Sequence, residues 1–357
     1  VTMSAAPMLT TTAHVALKEP ELMLRKLVRA FSEHAAIVGS APSCRLETRA
    51  GSVALTAAAD ALAIRIDASS QHALFALRAA LAERLLSLSQ DDRFSLLWAG
   101  AGAAEREIPS FKAVSVARAW NITPSMRRVT LACDDISHFE RDGMHVSVLI
   151  PPSGRMPVWP SLGDDGRVIW PAGGDELTRR TYSIRRIDRE ARELDIDVVL
   201  HGDSPGATWA RTARAGDPIG LIGPSGGELP AADWYLLAGD ETALPAIARI
   251  AEELPAQARA TILLEVPDLR ECQSLSGRAS LDVHWLLRNG ASAGSTALLE
   301  TAIRSLDWPR CDNPYVLVGC EKRAAREIRA ILRRDRGMAK DRHLVVAYWQ
   351  RFAGDHR

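Results

Sequence analysis

The sequence has little lysine, no net charge, no paired-cysteine motif and no long apolar run. Of its 44 basic residues only Lys18, Lys26, Lys112, Lys322 and Lys340 are lysines, which leaves 39 arginines, and 44 acidic residues balance the set. A neutral total excludes a global field that recruits nucleic acid or an anionic membrane, so a charged ligand must be met by a local cluster. Arginine suits that task because its planar fork matches phosphate and carboxylate. The five cysteines, Cys44, Cys133, Cys272, Cys311 and Cys320, are an odd number without C-x-x-C spacing. That argues against a disulfide framework, a zinc ribbon and a clustered iron–sulfur site, and it fits the reducing cytoplasm. No apolar stretch approaches a membrane span, and residues 1 to 13 lack the basic start and apolar core of a secretory leader. A soluble cytoplasmic protein is the expectation. At about 150 residues per domain, 357 residues predict two to three domains.

Three patterns follow one another along the chain. Residues 1–103 read as a small α+β domain, with a strand at Thr11–Leu17, a helix opened by Glu19-Pro20, alternation at Leu62, Ile64 and Ile66, a helical stripe from Leu74 to Leu88, and a closing strand through Phe94, Leu96 and Trp98. Its histidines His14, His34 and His72 are isolated and suggest no metal site. The small residues Ala99 to Ala104 read as a flexible linker. Residues 111–230 carry short strands between Pro and Gly turns (112–119, 127–132, 145–150, 180–186, 194–200 and 218–222), the pattern of an antiparallel β-barrel. Residues 231–357 alternate strand and helix, which predicts an α/β doubly wound domain with a parallel sheet.

A barrel followed by a doubly wound domain suggests two ligands meeting at their seam. Three segments carry candidate chemistry. In Arg179 to Arg185, strand alternation sends Arg180, Tyr182 and Ile184 to one side and Thr181, Ser183 and Arg185 to the other, so that a cation, an aromatic ring and hydroxyls lie close together. The His201-Gly202 loop enters a helix at Pro205-Gly206-Ala207-Thr208-Trp209, where backbone amides and the dipole favour a phosphate. The junction Gly239-Asp240-Glu241-Thr242 offers a tight turn at Gly239 and an N-cap at Thr242, but it has no G-x-G-x-x-G, and its two carboxylates repel a diphosphate set directly on them.

In this order these residues, with Met126 to Leu131, Ala215-Gly216-Asp217, Gly223-Pro224 and Tyr348-Trp349, resemble the siderophore-interacting protein family. Its members are flavin-dependent ferric-siderophore reductases of the ferredoxin–NADP reductase-like superfamily. The resemblance runs from about Phe111 to the C-terminus, while residues 11–98 resemble a small domain of unknown function that occurs alone or joined to such reductases. It implies FAD held by Arg180 at its phosphates, Tyr182 against the isoalloxazine and Ser183 near flavin N5, with His201, Gly202, Ala207, Thr208 and Trp209 at the diphosphate and Trp349 near the ring. NAD(P)H would face Gly239, Asp240, Glu241, Thr242, Cys320 and Glu321.

The implied activity passes electrons from NAD(P)H through FAD to a ferric siderophore and releases Fe(II), since nicotinamide delivers two electrons and iron accepts one. No protein metal ligand is required. Ferredoxin as donor and a non-catalytic siderophore-binding protein remain the alternatives. The chain departs from the family pattern in three places. Gly206-Ala207 replaces the usual Ala-Ser of the diphosphate loop, Ser147 stands where a basic residue often follows His145, and Gly319-Cys320-Glu321 stands where many members read Ala-Gly-Glu. Because Ser147 removes a cation, Arg185, Lys340, Arg342 and His343 are the expected contacts to an anionic ferric siderophore, Arg342 foremost.

Overall fold

The computed structural model describes residues 8–351 except 33–34, 49, 90–94, 142 and 228. Phe94 and His34 therefore lie outside the described residues, as do the two ends of the chain. The chain divides into two compact units, one of residues 1–111 with 151–177 and one of residues 112–150 with 178–357.

The first unit is a six-stranded antiparallel sheet with two helices packed on it. In chain order it comprises β1 (Leu9–Ala16), α1 (Pro20–Phe31), β2 (Ala36–Ser40), β3 (Ser43–Thr48), β4 (Gly51–Ala57), β5 (Ala61–Ala68), α2 (Gln71–Leu88) and β6 (Trp98–Gly100), and the sheet order is β2-β3-β4-β5-β1-β6. Period-two alternation puts Leu62, Ile64 and Ile66 into the core opposite Leu24, Leu27, Leu74, Leu81 and Leu85 from the helices. The expected flexible linker is in part structural. Ala99 and Gly100 belong to β6 and pair with β1, Thr11 donates to the Ala99 carbonyl at 3.0 Å, and the buried Arg78 donates to the Gly102 carbonyl with its guanidinium 5.3 Å from the Trp98 ring centroid. Small residues signal flexibility only until long-range partners occupy their backbone groups. Residues 151–177, read from sequence as part of the barrel, group with this unit and carry the short hairpin strands β10 (Ser161–Leu162) and β11 (Val168–Ile169), with Trp98 Nε1 donating to the Asp165 carbonyl at 2.7 Å.

The second unit opens with a closed barrel made of β7 (Phe111–Thr123), β8 (Met126–Ala132), β9 (His145–Ile150), β12 (Thr178–Asp188), β13 (Glu193–Val199) and β14 (Pro218–Ser225) in the order β12-β13-β8-β7-β14-β9, closed by β9 on β12. The helix α3 (Pro205–Thr212) seals it with Trp209 and Ala210 in the core. There follow β15 (Trp234–Asp240), α4 (Leu244–Glu253), β16 (Arg259–Val266), β17 (Ser280–Leu287), α5 (Leu298–Ser305), β18 (Pro314–Glu321), α6 (Lys322–Ala330) and β19 (His343–Trp349), a fully parallel sheet ordered β17-β16-β15-β18-β19. The chain reverses direction across the sheet between β15 and β18, the point where doubly wound sheets open a crevice at their carboxyl ends. There Gly239 pairs with Gly319, and a Cβ on Gly239 would stand 2.4 Å from the Gly319 carbonyl oxygen and 2.6 Å from Ala243 Cβ. Gly239 is thus a strand residue required by close approach, and the expectation that it serves a tight turn is corrected.

Barrel and sheet domain share a seam. The Glu271 carboxylate, 5% exposed, accepts from Thr123 Oγ1 and from the Ser125 amide, while Met126 and Met144 of the barrel lie in the core built on β15, β16 and α4. Glu271→Ala should lower unfolding stability by about 1–3 kcal/mol, the cost of orphaning a buried donor, as read in urea titrations. Gly239→Ala should cost about 1–3 kcal/mol through overpacking against backbone that cannot retreat. An unchanged midpoint in either variant would contradict the corresponding contact.

Candidate functional site

β12 carries the first group of candidates. Arg180 is exposed, and its Nη1 donates to the Arg179 carbonyl at 2.8 Å. Among the described residues it meets no carboxylate, whereas Arg185 grips Glu252 with two bonds of 2.9 and 2.6 Å and Arg186 is 3.0 Å from Asp188. Two turns of the strand further in, Ile184 fills the barrel core and Tyr182 packs beside it, with burial pushing the phenol up to about 12. Ser183 is buried opposite His145 of β9, its Oγ 3.1 Å from Nδ1.

The start of α3 closes on this strand. Ser204 caps the helix, accepting from the Ala207 amide at 3.4 Å, and Pro205 occupies the first turn. A Cβ on Gly206 would fall 2.1 Å from the Tyr182 hydroxyl oxygen and 3.6 Å from Arg180 Cγ. The backbone is bare where the tyrosine and the arginine converge on a helix N-terminus. A guanidinium without a carboxylate partner, helix-start amides and an aromatic face are the donor set that a flavin dinucleotide requires, so the residues present fit FAD. Of the other candidates in this loop, Thr208 is exposed, Ala207 is buried, Trp209 packs in the barrel core, and Gly202 accepts from Arg211 at 2.7 Å. The exposed His201 ring stacks on Trp349 at 6.4 Å between centroids.

The carboxyl edge of the parallel sheet gathers the remaining group. Trp349 Nε1 donates to Asp240 Oδ2 at 2.7 Å, and Asp240 Oδ1 accepts from the Thr242 amide and hydroxyl. Thr242 is therefore not the N-cap it was expected to be. Ala243 holds that position, because the helix begins at Leu244. Glu241 is bound bidentately by Arg288 at 2.8 and 2.6 Å, and Arg288 also reaches Glu265. Glu321 caps α6 through the Arg323 and Ala324 amides. Cys320 is 1% exposed, its thiol pushed far up by burial and by the carboxylates of Asp240, Glu300, Glu321 and Glu265, which keeps it a buried thiol rather than a nucleophile.

The expected substrate cations do not join these groups. Lys340, Arg342 and His343 lie at the amino end of β19, and a seven-residue strand puts them roughly 20 Å from Trp349. Arg342 is held by the Pro314 carbonyl at 3.0 Å and by Asn313, over the Tyr315 ring. His343 bonds the Ala339 carbonyl at 2.8 Å and accepts from Arg333. In a parallel sheet all strands run one way, so residues before the last strand belong to the edge opposite the crevice. Arg185 has its charge committed to Glu252 in the last turn of α4. Sequence reading also missed Arg288 and the partners of His145 and Asp240, since each joins elements remote along the chain.

Burial and the neighbouring Glu241 charge push Asp240 up to about 6 from an ordinary carboxylate value of 3.8. The folded state then holds the proton more tightly than the unfolded chain, so this contribution to stability is full below about pH 4 and is lost as pH rises through about 6. Asp240→Asn cannot ionise and should lose less stability than the wild type across that window. Parallel stability–pH curves for the two proteins would refute the raised value.

Comparison with known proteins agrees with this fold. The model of the siderophore-interacting FAD-binding domain matches residues 115–228, that of the siderophore-interacting protein matches 232–352, and a family described as an uncharacterized protein conserved in bacteria matches 12–99. Ferric vibriobactin reductase ViuB of Vibrio cholerae is 33% identical over 236 residues, which span 64% of this chain and 86% of that protein. Among solved structures, a siderophore utilization protein from T. fusca aligns with a TM-score of 0.61 at 37% identity, over 71% of this chain and 98% of its own. The siderophore-interacting protein SipS of Aeromonas hydrophila aligns with a TM-score of 0.57 at 30% identity, over 69% and 99%. With the barrel, the parallel sheet and the Arg180-x-Tyr182-Ser183 strand in place, the chain belongs to the siderophore-interacting protein family.

Proposed function

We propose that this protein is an FAD-dependent ferric-siderophore reductase that draws electrons from NADH or NADPH and releases Fe(II) for use in the cytoplasm. The observation that carries the reading is the convergence of Arg180 and Tyr182 on the bare start of α3. When bound, FAD supplies the conversion of a two-electron donor into one-electron steps that ferric iron accepts. The chain's residues bind and orient. Arg180 and the α3 amides neutralise the diphosphate, Tyr182 lines the ring, and Ser183 presents a hydroxyl beside it. Siderophores hold Fe(III) through hard oxygen donors, and reduction weakens that hold, so the metal is cargo that needs no protein ligand.

In the same reading residues 111–230 serve the flavin, 231–357 receive the electron donor at the β15–β18 crevice, and 1–103 form a separate module. Among the described residues no helix is long and apolar enough to cross a membrane.

The purified protein should be yellow, and anaerobic NADH or NADPH should bleach it. A ferric siderophore added next should restore the colour, with Fe(II) trapped by a ferrous chelator. Arg180→Ala should weaken FAD binding about ten- to a hundredfold, the loss of a charge-assisted phosphate contact. Bleaching by reduced ferredoxin alone would reassign the donor, and a colourless protein that takes up no FAD would leave a siderophore-binding role.

A further inference from the structure

His145 is absorbed by none of the roles above, yet its position is among the most constrained in the barrel. It heads β9, where its backbone is paired with Ser183 of β12 on one side and Ser225 of β14 on the other. Its ring meets Tyr348 edge-on at 6.0 Å and 88°, and a Cβ on Gly226 would lie 3.6 Å from its Cδ2. The nearest hydrogen-bond partner of its Nδ1 is the Ser183 hydroxyl at 3.1 Å.

Burial and the cation of Arg249 push the imidazole below its usual value, which keeps it neutral. A neutral imidazole has one acceptor nitrogen, and a serine hydroxyl has one proton and two lone pairs. If the hydroxyl gives its proton to Nδ1, the lone pairs are what it offers on its other side.

We propose that His145 is a positioning residue for the electron-transfer centre: held between β12 and β14, it takes the Ser183 proton at Nδ1 and fixes the serine as an acceptor toward the ring edge of the bound flavin. The assignment rests on the flavin reading above. A flavin N5 accepts a hydrogen bond when oxidised and donates one when reduced, so a serine locked as acceptor favours the reduced cofactor. Hydrogen bonds at this edge are one of the levers by which a protein sets flavin electronics. Without His145 the hydroxyl is free to turn and donate, which favours the oxidised form.

The test is the midpoint potential of the FAD-loaded protein, measured spectroscopically against redox dyes in wild type, His145→Leu, His145→Asn, Ser183→Ala and the His145→Leu/Ser183→Ala double variant. His145→Leu should lower the potential by an amount equal to about a tenfold change in the two-electron equilibrium, about 30 mV. His145→Asn, whose amide oxygen can accept where Nδ1 did, should restore most of it. In the Ser183→Ala background, His145→Leu should produce no further shift, because the histidine acts through that hydroxyl. An unmoved or raised potential in His145→Leu overturns the assignment, and so does an equal additional shift in the double variant. Should His145→Leu fail to fold, the asparagine and Ser183→Ala variants carry the same test, with a potential near wild type expected for the first and a departure for the second. A wild-type protein that takes up no FAD overturns the flavin reading and this assignment with it, whereas unmoved potentials in a yellow protein overturn this assignment alone.

Discussion

β12 is held by β9 and by α4, and the arrangement of the candidate site follows from that. β9 closes the barrel on it through the register Thr178↔Ile150 to Ser183↔His145. At its far half, Arg185 is clamped bidentately by Glu252 of α4, and Arg249 of the same helix donates to the Ile184 carbonyl at 3.1 Å. Arg185 retains 14% side-chain exposure and Glu252 40%, so the pair is partly screened and its worth is of order 1 kcal/mol. Its geometric effect is larger than its energy. A planar fork fixes the angle of strand to helix, and with it the distance between the face bearing Arg180 and Tyr182 and the carboxyl edge bearing Asp240 and Trp349.

Charge is divided sharply across that site. The carboxyl edge of the parallel sheet buries Asp240, Glu241, Glu265 and Glu321, with Arg288 bound between two of them. Removing carboxylates from water is costly unless donors surround them, and here helix amides, Thr242, Thr296 and Arg288 supply those donors. Arg288, buried among them, is spent on Glu241 and Glu265, and the exposed Lys322 at the start of α6 donates to Gln350 Oε1. The barrel side is the reverse, with the Arg180 guanidinium, unpaired with any carboxylate among the described residues, beside a helix N-terminus. In the proposed reading the FAD diphosphate falls to the barrel, beside Arg180 and the start of α3.

Much of this was legible in the sequence because its signals are local. Alternation at Leu62, Ile64 and Ile66, the apolar stripe of α2, and the strand–helix alternation after residue 231 each reflect burial on one face, which a single segment reports about itself. Arg180, Tyr182 and Ser183 could be singled out because they sit within four residues. What was not legible depends on partners far along the chain. Residues 151–177 leave the barrel because Trp98 and Arg106 bind their backbone and side chains. Arg342 looked free in a basic stretch, but the carbonyl of Pro314, 28 residues earlier, uses its donors. Gly239 looked like a turn glycine until Gly319 was placed against it.

The arginine-rich composition was ambiguous for the same reason. A neutral chain with many arginines has either a mixed surface of free charges or one in which most are matched in place. Arg118 with Glu193, Arg128 with Asp197, Arg185 with Glu252 and Arg288 with Glu241 are bidentate matches, each uniting different elements of the second unit. Against that background an exposed arginine beside a bare helix start carries more information than its abundance suggested. Under the proposed reading, Arg180 offers a dinucleotide a guanidinium whose donors are not spent on a carboxylate. Gly206 completes the condition. Any larger residue there would press on the Tyr182 hydroxyl, where the proposed reading sets the aromatic face beside the helix amides.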